Sequence, residues 1–250
     1  MILTSKNNPL IKETASLKEK KGRKELGLFL VEGRKMVAEC QKSPIEIERV
    51  FVSESYAGEV PFEETMVVRV SDDVFRFLSD EKTPQGILCR ARIPQDGLVP
   101  PQGKCIFLDG VADPGNVGAI LRTANAAGYS QVYLSADCAD PYAPKSVRAS
   151  MSGLFFTRLC RGTREDVLSI LKGTPLIVTD MDGENVFTFP APSQFTLAIG
   201  NEANGLSEAA TEKADCLVKI PMEGKAESLN AAVATSLFVY EAYRKRRNMK

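Results

Sequence analysis

Three short polar segments, each bearing glycine and each following an apolar run, hold the side chains best suited to chemistry. In the first, Pro114 and Gly115 turn the chain, Asn116 can cap a helix, and Arg122 follows nearly two helical turns later, not far from the same face. A helix N-terminus flanked by an amide and a guanidinium can grip a phosphate or a developing oxyanion. Taken alone, the segment is an ordinary capped helix with a surface arginine. The second, residues 197–207, contains Gly200, Glu202 and Gly205. Its glycines have the spacing of a phosphate loop, but Leu206 and Ser207 stand where Lys-Ser/Thr is needed, which argues against a Walker-type NTPase. G-x-G-x-x-G, the usual dinucleotide fingerprint, is absent as well. In the third, residues 218–234, Pro221 ends a strand, Gly224 permits an open loop, and Ser228 or Asn230 starts or faces the first turn of the next helix. The small residues Ala231, Ala232, Ala234, Thr235 and Ser236 then suit tight packing or a subunit contact.

Composition removes several alternatives. With no histidine in 250 residues, a Ser/His/Asp hydrolase, a histidine base and a histidine-ligated metal are excluded. Six scattered cysteines, Cys40, Cys89, Cys105, Cys138, Cys160 and Cys216, form no C-x-x-C pair and read as buried free thiols rather than a zinc site or disulfide framework. No apolar run approaches the roughly 18–20 residues that span a bilayer, and no apolar signal core opens the chain, so a cytoplasmic location is expected.

The elements that must position these segments alternate between strand and helix. Residues 9–20 have helical spacing, 28–31 form a short strand, and 33–41 a helix with Met36, Val37 and Cys40 inward. Strands follow at 49–53 and 66–70, then a helix capped by Ser71 with Val74, Phe75 and Leu78 as its stripe, then a closing strand at 86–93. Three prolines and two glycines in residues 94–103 mark a linker, placing one α/β domain at 1–93 and a second at 104–250. In the second, strands are expected at 105–108, 131–134, 176–179, 195–199 and 216–220, with helices at 116–127 and from about Glu227 to Arg246. Such alternation implies a mostly parallel sheet, with ligands beyond the carboxyl ends of its strands.

Formal charge is zero but unevenly spread: residues 1–35 carry a net +5 and residues 44–82 a net −6. Basic clusters also occur at 143–164, with Lys145, Arg148, Arg158, Arg161 and Arg164, and in the last ten residues. Three such patches fit a polyanion footprint, although each alone fits a solvated helix face equally well.

Together, Asn116-x-Gly-x-x-x-Arg122, Gly200-x-Glu-x-x-Gly-Leu206 and Ile220-Pro-Met-x-Gly-x-x-x-Ser-Leu-Asn230 resemble, in order, the three motifs of the SpoU (TrmH-like) family of RNA 2′-O-ribose methyltransferases in the SPOUT superfamily. Phe29-Leu-Val-Glu-Gly33 resembles the start of that family's L30e-like substrate-binding domain, and residues 144–150 the segment before its central helix. Ser152-Gly153 departs from the commoner Gly-Ala, and Ala231-Ala232 from Val-Ser. The resemblance implies a trefoil-knotted catalytic domain, an obligate homodimer whose active sites draw on both subunits, and no metal. It further implies S-adenosylmethionine bent in the knot against backbone groups of Gly200, Ile220 and Leu229, with Thr179 and Met222 nearby.

The implied reaction is an in-line attack of a ribose 2′-oxygen on the methyl carbon of a sulfonium. Positioning supplies about 7–11 kcal/mol, and one proton must leave. Arg122 is expected at the reacting oxygen, as stabiliser of the emerging alkoxide or clamp on the adjacent phosphate, since a guanidinium is a poor base. Glu202, Ser228 and Asn230 would order the loops and the donor, with Glu202 a conceivable proton acceptor, and Asn116 would orient the ribose or Arg122. Ribosomal RNA is the expected substrate. The same reaction on a tRNA, or a non-catalytic RNA-binding protein, is the alternative.

Overall fold

A computed structural model of the chain describes residues 2–95, 97–225 and 228–248. β1 (Ile2–Leu3), α1 (Pro9–Ser16), α2 (Lys20–Leu26), β2 (Leu28–Glu32), α3 (Arg34–Gln41), β3 (Ile47–Ser53), β4 (Val67–Val70), α4 (Asp72–Leu78) and β5 (Ile87–Arg92) build a five-stranded sheet ordered β1-β4-β3-β5-β2. Side chains alternate across it. Phe29, Val31, Val50, Val52 and Cys89 pack toward α3, whereas Leu28, Leu30, Phe51 and Leu88 pack toward α1 and α4. Residues 9–20 do not form the single expected helix. The chain turns at Leu17, and α2 folds back so closely that a Cβ on Gly22 would lie 2.2 Å from the Ser16 carbonyl oxygen.

β6 (Lys104–Asp109), α5 (Pro114–Ala126), β7 (Gln131–Ser135), α6 (Pro144–Ser150), β8 (Arg158–Gly162), α7 (Arg164–Ile170), β9 (Leu176–Asn185), β10 (Phe195–Gly200), α8 (Glu208–Thr211), β11 (Cys216–Lys219) and α9 (Ala231–Asn248) form the second unit. Its six strands are all parallel, ordered β11-β9-β10-β6-β7-β8. Chain order runs outward on one side from β6 to β8 and on the other side lies β10, so the sheet reverses between β6 and β10. Ligand crevices form at such a switch point, beyond the strands' carboxyl ends.

Several local expectations change. α5 starts at Pro114, not Asn116, because Asp113 is the cap: its Oδ1 accepts from the Asn116 N–H at 3.0 Å. That frees the Asn116 side chain. Residues 144–150 are a helix in their own right, α6, packed closely on α5, and β9 runs on to Asn185. The expected helix start at Glu227 lies outside the described residues; α9 begins at Ala231. Residues 94–103 contain no helix or strand among those described, yet are strapped to β7. Tyr133 donates to the Val99 carbonyl at 2.8 Å, and Gln131 Oε1 accepts from the Gln102 N–H at 2.6 Å.

The core is continuous across both units: Phe29, Val31 and Cys89 belong to the same buried cluster as Ile106, Val117, Leu134 and Phe195. At the junction, the Phe29 and Tyr142 rings lie 5.0 Å apart, and buried Arg23 reaches Asp140 at 2.7 Å while donating to the Leu17 and Lys18 carbonyls. Among the described residues no helix is long and apolar enough to cross a membrane. The α5–α6 contact is tight enough that a Cβ on Gly118 would sit 2.4 Å from the Ser146 carbonyl oxygen and 2.6 Å from Ala149 Cβ. Gly118→Ala is therefore expected to lower stability by about 1–3 kcal/mol despite its better helix propensity, as read by urea unfolding monitored by circular dichroism.

Candidate active site

The three polar segments meet at the carboxyl ends of β6, β10 and β11. Asn116, freed from capping, donates from Nδ2 to Glu202 Oε1 at 2.7 Å and accepts at Oδ1 from Asn230 Nδ2 at 2.9 Å. Glu202 also accepts from the Ala112 N–H at 3.1 Å and from the Asp113 N–H at 3.4 Å. Asn230 caps α9, its Oδ1 accepting from the Ala232 and Val233 N–H groups at 2.9 and 3.3 Å. Residues more than 80 positions apart thus join in one hydrogen-bonded chain.

The loop carrying Glu202 is held from below. Asn201 Nδ2 donates to the Gly110 carbonyl at 2.8 Å, while its Oδ1 accepts from the Ala203 and Asn204 N–H groups. Buried Asp109 accepts from the Ser207 N–H at 2.9 Å and pairs with Arg164, which also reaches Asp137 at 2.7 Å. Glycine at 200 is obligatory, since a Cβ there would lie 2.3 Å from the Gly205 carbonyl carbon where the loop closes over the strand end.

Two adjoining cavities open beside this loop. One, of about 440 Å³, has an apolar wall of Val178, Leu206, Val218, Ile220, Met222 and Leu229. The other, of about 500 Å³, is bordered by Gly200, Asn201, Glu202 and Asn230. Thr179, Ser228 and Leu229 line both. Each volume lies in the range of small-molecule sites, about 300–1,000 Å³. Thr179, Gly200, Ile220, Met222 and Leu229 therefore all border one space, together with Glu202, Ser228 and Asn230. Val178 and Val218 are walls that motif reasoning did not single out; their apolar positions in β9 and β11 were the available signal.

Arg122 stands apart. Six residues beyond Asn116 on a helix leave the two about 120° apart rather than near one face. Arg122 is exposed, borders neither cavity, and makes no hydrogen bond or ion pair among the described residues. Its backbone is instead the seat of Gly153, where a Cβ would meet Arg122 Cα at 2.8 Å.

Electrostatics refine two expectations. Burial tends to raise the Glu202 carboxyl, but the hydrogen bonds from Asn116, Ala112 and Asp113 outweigh it and hold the group below the ordinary carboxylate range. An acid so held, with both oxygens engaged, is an anchor and a poor proton acceptor. The basic cluster at 143–164 is largely neutralised by acids distant in sequence: Lys145 by Asp113 at 2.6 Å, Arg148 by Asp80 and Glu81, Arg161 by Asp140, and Arg164 by Asp109 and Asp137. It is not a free polyanion footprint.

Residues 103–240 match the model of the SpoU rRNA Methylase family. The chain belongs to that family. Residues 8–89 match the MRM3-like substrate binding domain. The SpoU relatives include the 23S rRNA (guanosine(2553)-2'-O)-methyltransferase RlmP of Bacillus subtilis, 32% identical over 95% of this chain and 97% of that protein. Another is the 23S rRNA (uridine(2479)-2'-O)-methyltransferase of Streptomyces viridochromogenes, 35% identical over 73% of this chain and 68% of that protein. A solved structure of an AdoMet-bound rRNA methyltransferase from Sinorhizobium meliloti superposes with a TM-score of 0.87 at 29% identity, covering 98% of each chain.

Because the folded-state pKa of Glu202 lies below its unfolded value, its contribution is complete above about pH 4.3 and is lost only as pH falls through the lower folded value. Side-chain amide NMR signals of Asn116 and Asn230 should keep their hydrogen-bonded shifts from pH 8 to about 5 and lose them under stronger acid. In Glu202→Gln they should be lost at every pH, since one of the two accepting oxygens becomes an NH₂ group that must face either the Ala112 N–H or the Asn116 NH₂, donor against donor, and the charge is gone.

Proposed function

We propose that this protein methylates a ribose 2′-hydroxyl of ribosomal RNA in the cytoplasm, with S-adenosylmethionine as donor and with active sites shared across a homodimer. The observation that carries the reading is the Glu202–Asn116–Asn230 chain, two members of which border the polar cavity beside the apolar one. Family membership and the named 23S rRNA relatives support the substrate class.

The residues present fit the donor. The apolar cavity of Val178, Leu206, Ile220, Met222 and Leu229 suits an adenine ring, and the polar one bordered by Glu202 suits a cationic methionyl end. Bound there, S-adenosylmethionine supplies an electrophilic methyl group. Thr179, Ser228 and the backbone at Gly200, Ile220 and Leu229 hold and orient it, and Asn116 presents its locked amide toward the ribose. The trefoil path implied by the family would bring the loops after β10 and β11 together, and both loops contribute walls to the same cavity.

Arg122 enters through the dimer. α9 presents Val233, Leu237 and Tyr240 at helical spacing with 48%, 39% and 47% of their surface exposed, an unpaired apolar stripe on a helix packed against α5. Pairing that face with a second copy covers the stripe and gives the exposed Arg122 a route to the partner's cavities, where its guanidinium steadies the emerging alkoxide or clamps the neighbouring phosphate.

Arg122→Ala should abolish tritium transfer from labelled donor to ribosomal RNA while calorimetric donor affinity stays within a few fold. Mixing inactive Arg122→Ala with inactive Glu202→Ala should restore about a quarter of wild-type activity, since half of the random dimers then hold one intact shared site. No recovery on mixing would place Arg122 and Glu202 in the same subunit's site. Loss of one 2′-O-methyl mark from ribosomal RNA on deleting the gene would identify the nucleotide, and an unchanged ribosomal RNA map would refute the substrate assignment.

A further inference from the structure

Where the parallel strands begin, at the opposite end of the sheet from Glu202, the start of β6, the turn after α5, residues 191–193 and the last turns of α9 enclose a cavity of about 320 Å³. Three cations wall it, Lys104, Lys245 and Arg246, and among the described residues no acid does. Lys245 is committed elsewhere: its Nζ donates to the carbonyls of Val186 at 3.1 Å and Phe189 at 2.7 Å and lies 3.6 Å from Glu241. Lys104 and Arg246 rest on aromatic rings instead, 5.4 Å from the Phe195 centroid and 5.5 Å from the Tyr243 centroid, with no ion pair among the described residues. Burial, and then the charge of Arg246, push the Lys104 ammonium below its usual range. Tyr129 lines the same cavity at 2% exposure, its hydroxyl buried and lacking a hydrogen-bond partner among the described residues.

Facing cations without a counter-charge, and a phenolic donor without an acceptor, lack the same thing: a compact anion rich in acceptor oxygens. The geometry points to a phosphate-binding site here, in which Lys104 and Arg246 close on the anion and, in shifting, uncover the Tyr129 hydroxyl to donate to it. The site stands apart from the methyl-transfer cavities, and only the RNA chosen to probe it rests on the proposed function. A phosphate of an RNA backbone and that of a free mononucleotide present the same group.

Thermal unfolding at matched ionic strength tests the site directly. About 10 mM inorganic phosphate or AMP in place of chloride should raise the wild-type Tm by about 2–4 °C, and should not raise that of Lys104→Gln/Arg246→Gln. Tyr129→Phe, which only removes the stranded hydroxyl, should melt above wild type in chloride and gain less from phosphate. The proposal fails if phosphate and AMP leave wild type unmoved, or move the double variant equally. Given the rise, the source follows from binding to a 23S rRNA transcript across a salt series. A slope shallower by about one in the double variant assigns the site to RNA backbone, and an unchanged slope assigns it to a mononucleotide.

Discussion

Glu202 fixes the direction of every hydrogen bond around it. An ionised carboxylate accepts and cannot donate, so the Asn116 amide must turn its NH₂ toward it and its carbonyl oxygen toward Asn230. Asn230 must then offer its NH₂ to Asn116 and its oxygen to the first N–H groups of α9. One negative charge thereby sets the orientation of two amides and seats a helix on the cavity rim. The same donors that order the chain keep Glu202 ionised, so the arrangement sustains itself at neutral pH.

Beneath that chain a second set of contacts holds the β10 loop at the correct height. Asp109 ends β6 almost wholly buried, bound to Arg164 and the Ser207 N–H, and Ser135 accepts from the Gly110 N–H at 2.9 Å. Buried ion pairs add little net stability, because desolvation offsets their attraction, but removing one partner strands the other. Placed here, the pair acts as a register pin between strand ends that are far apart in sequence. It also explains why the loop can be rich in glycine and polar residues without losing its shape.

What the sequence made legible is what depends on local chemistry. Proline, glycine and capping residues mark the ends of strands and helices, and period-two and helical patterns gave Met36, Val37, Val74 and Leu78 their buried places. Even so, one residue of similar type moved a helix start: Asp113, not Asn116, is the cap, because Pro114 favours the first helical position and leaves Asp113 extended. Partners distant along the chain were not legible. The row of cations from Lys145 to Arg164 looked free only because Asp80, Glu81, Asp109, Asp113, Asp137 and Asp140 lie outside it. The facing of Arg122 was misread for another reason: six residues along a helix turn a side chain about 120° away from Asn116 rather than back near its face.

The junction between the two sheets ties the first unit to the helix that delivers Asn116. α6 packs on β2 and on α5, the helix that delivers Asn116, so it touches both units. Its Arg148 binds Asp80 and Glu81 beyond α4, while Ser79 and the Asp80 N–H are held by Glu32 at the end of β2. Arg23 of α2, buried and satisfied by two carbonyls and Asp140, closes the other side; breaking such a pair by removing one partner typically costs about 3–5 kcal/mol. Contacts of this kind resist hinge motion. The first sheet is therefore held at a fixed distance and angle to the second, and to the loops that carry Asn116, Glu202 and Asn230.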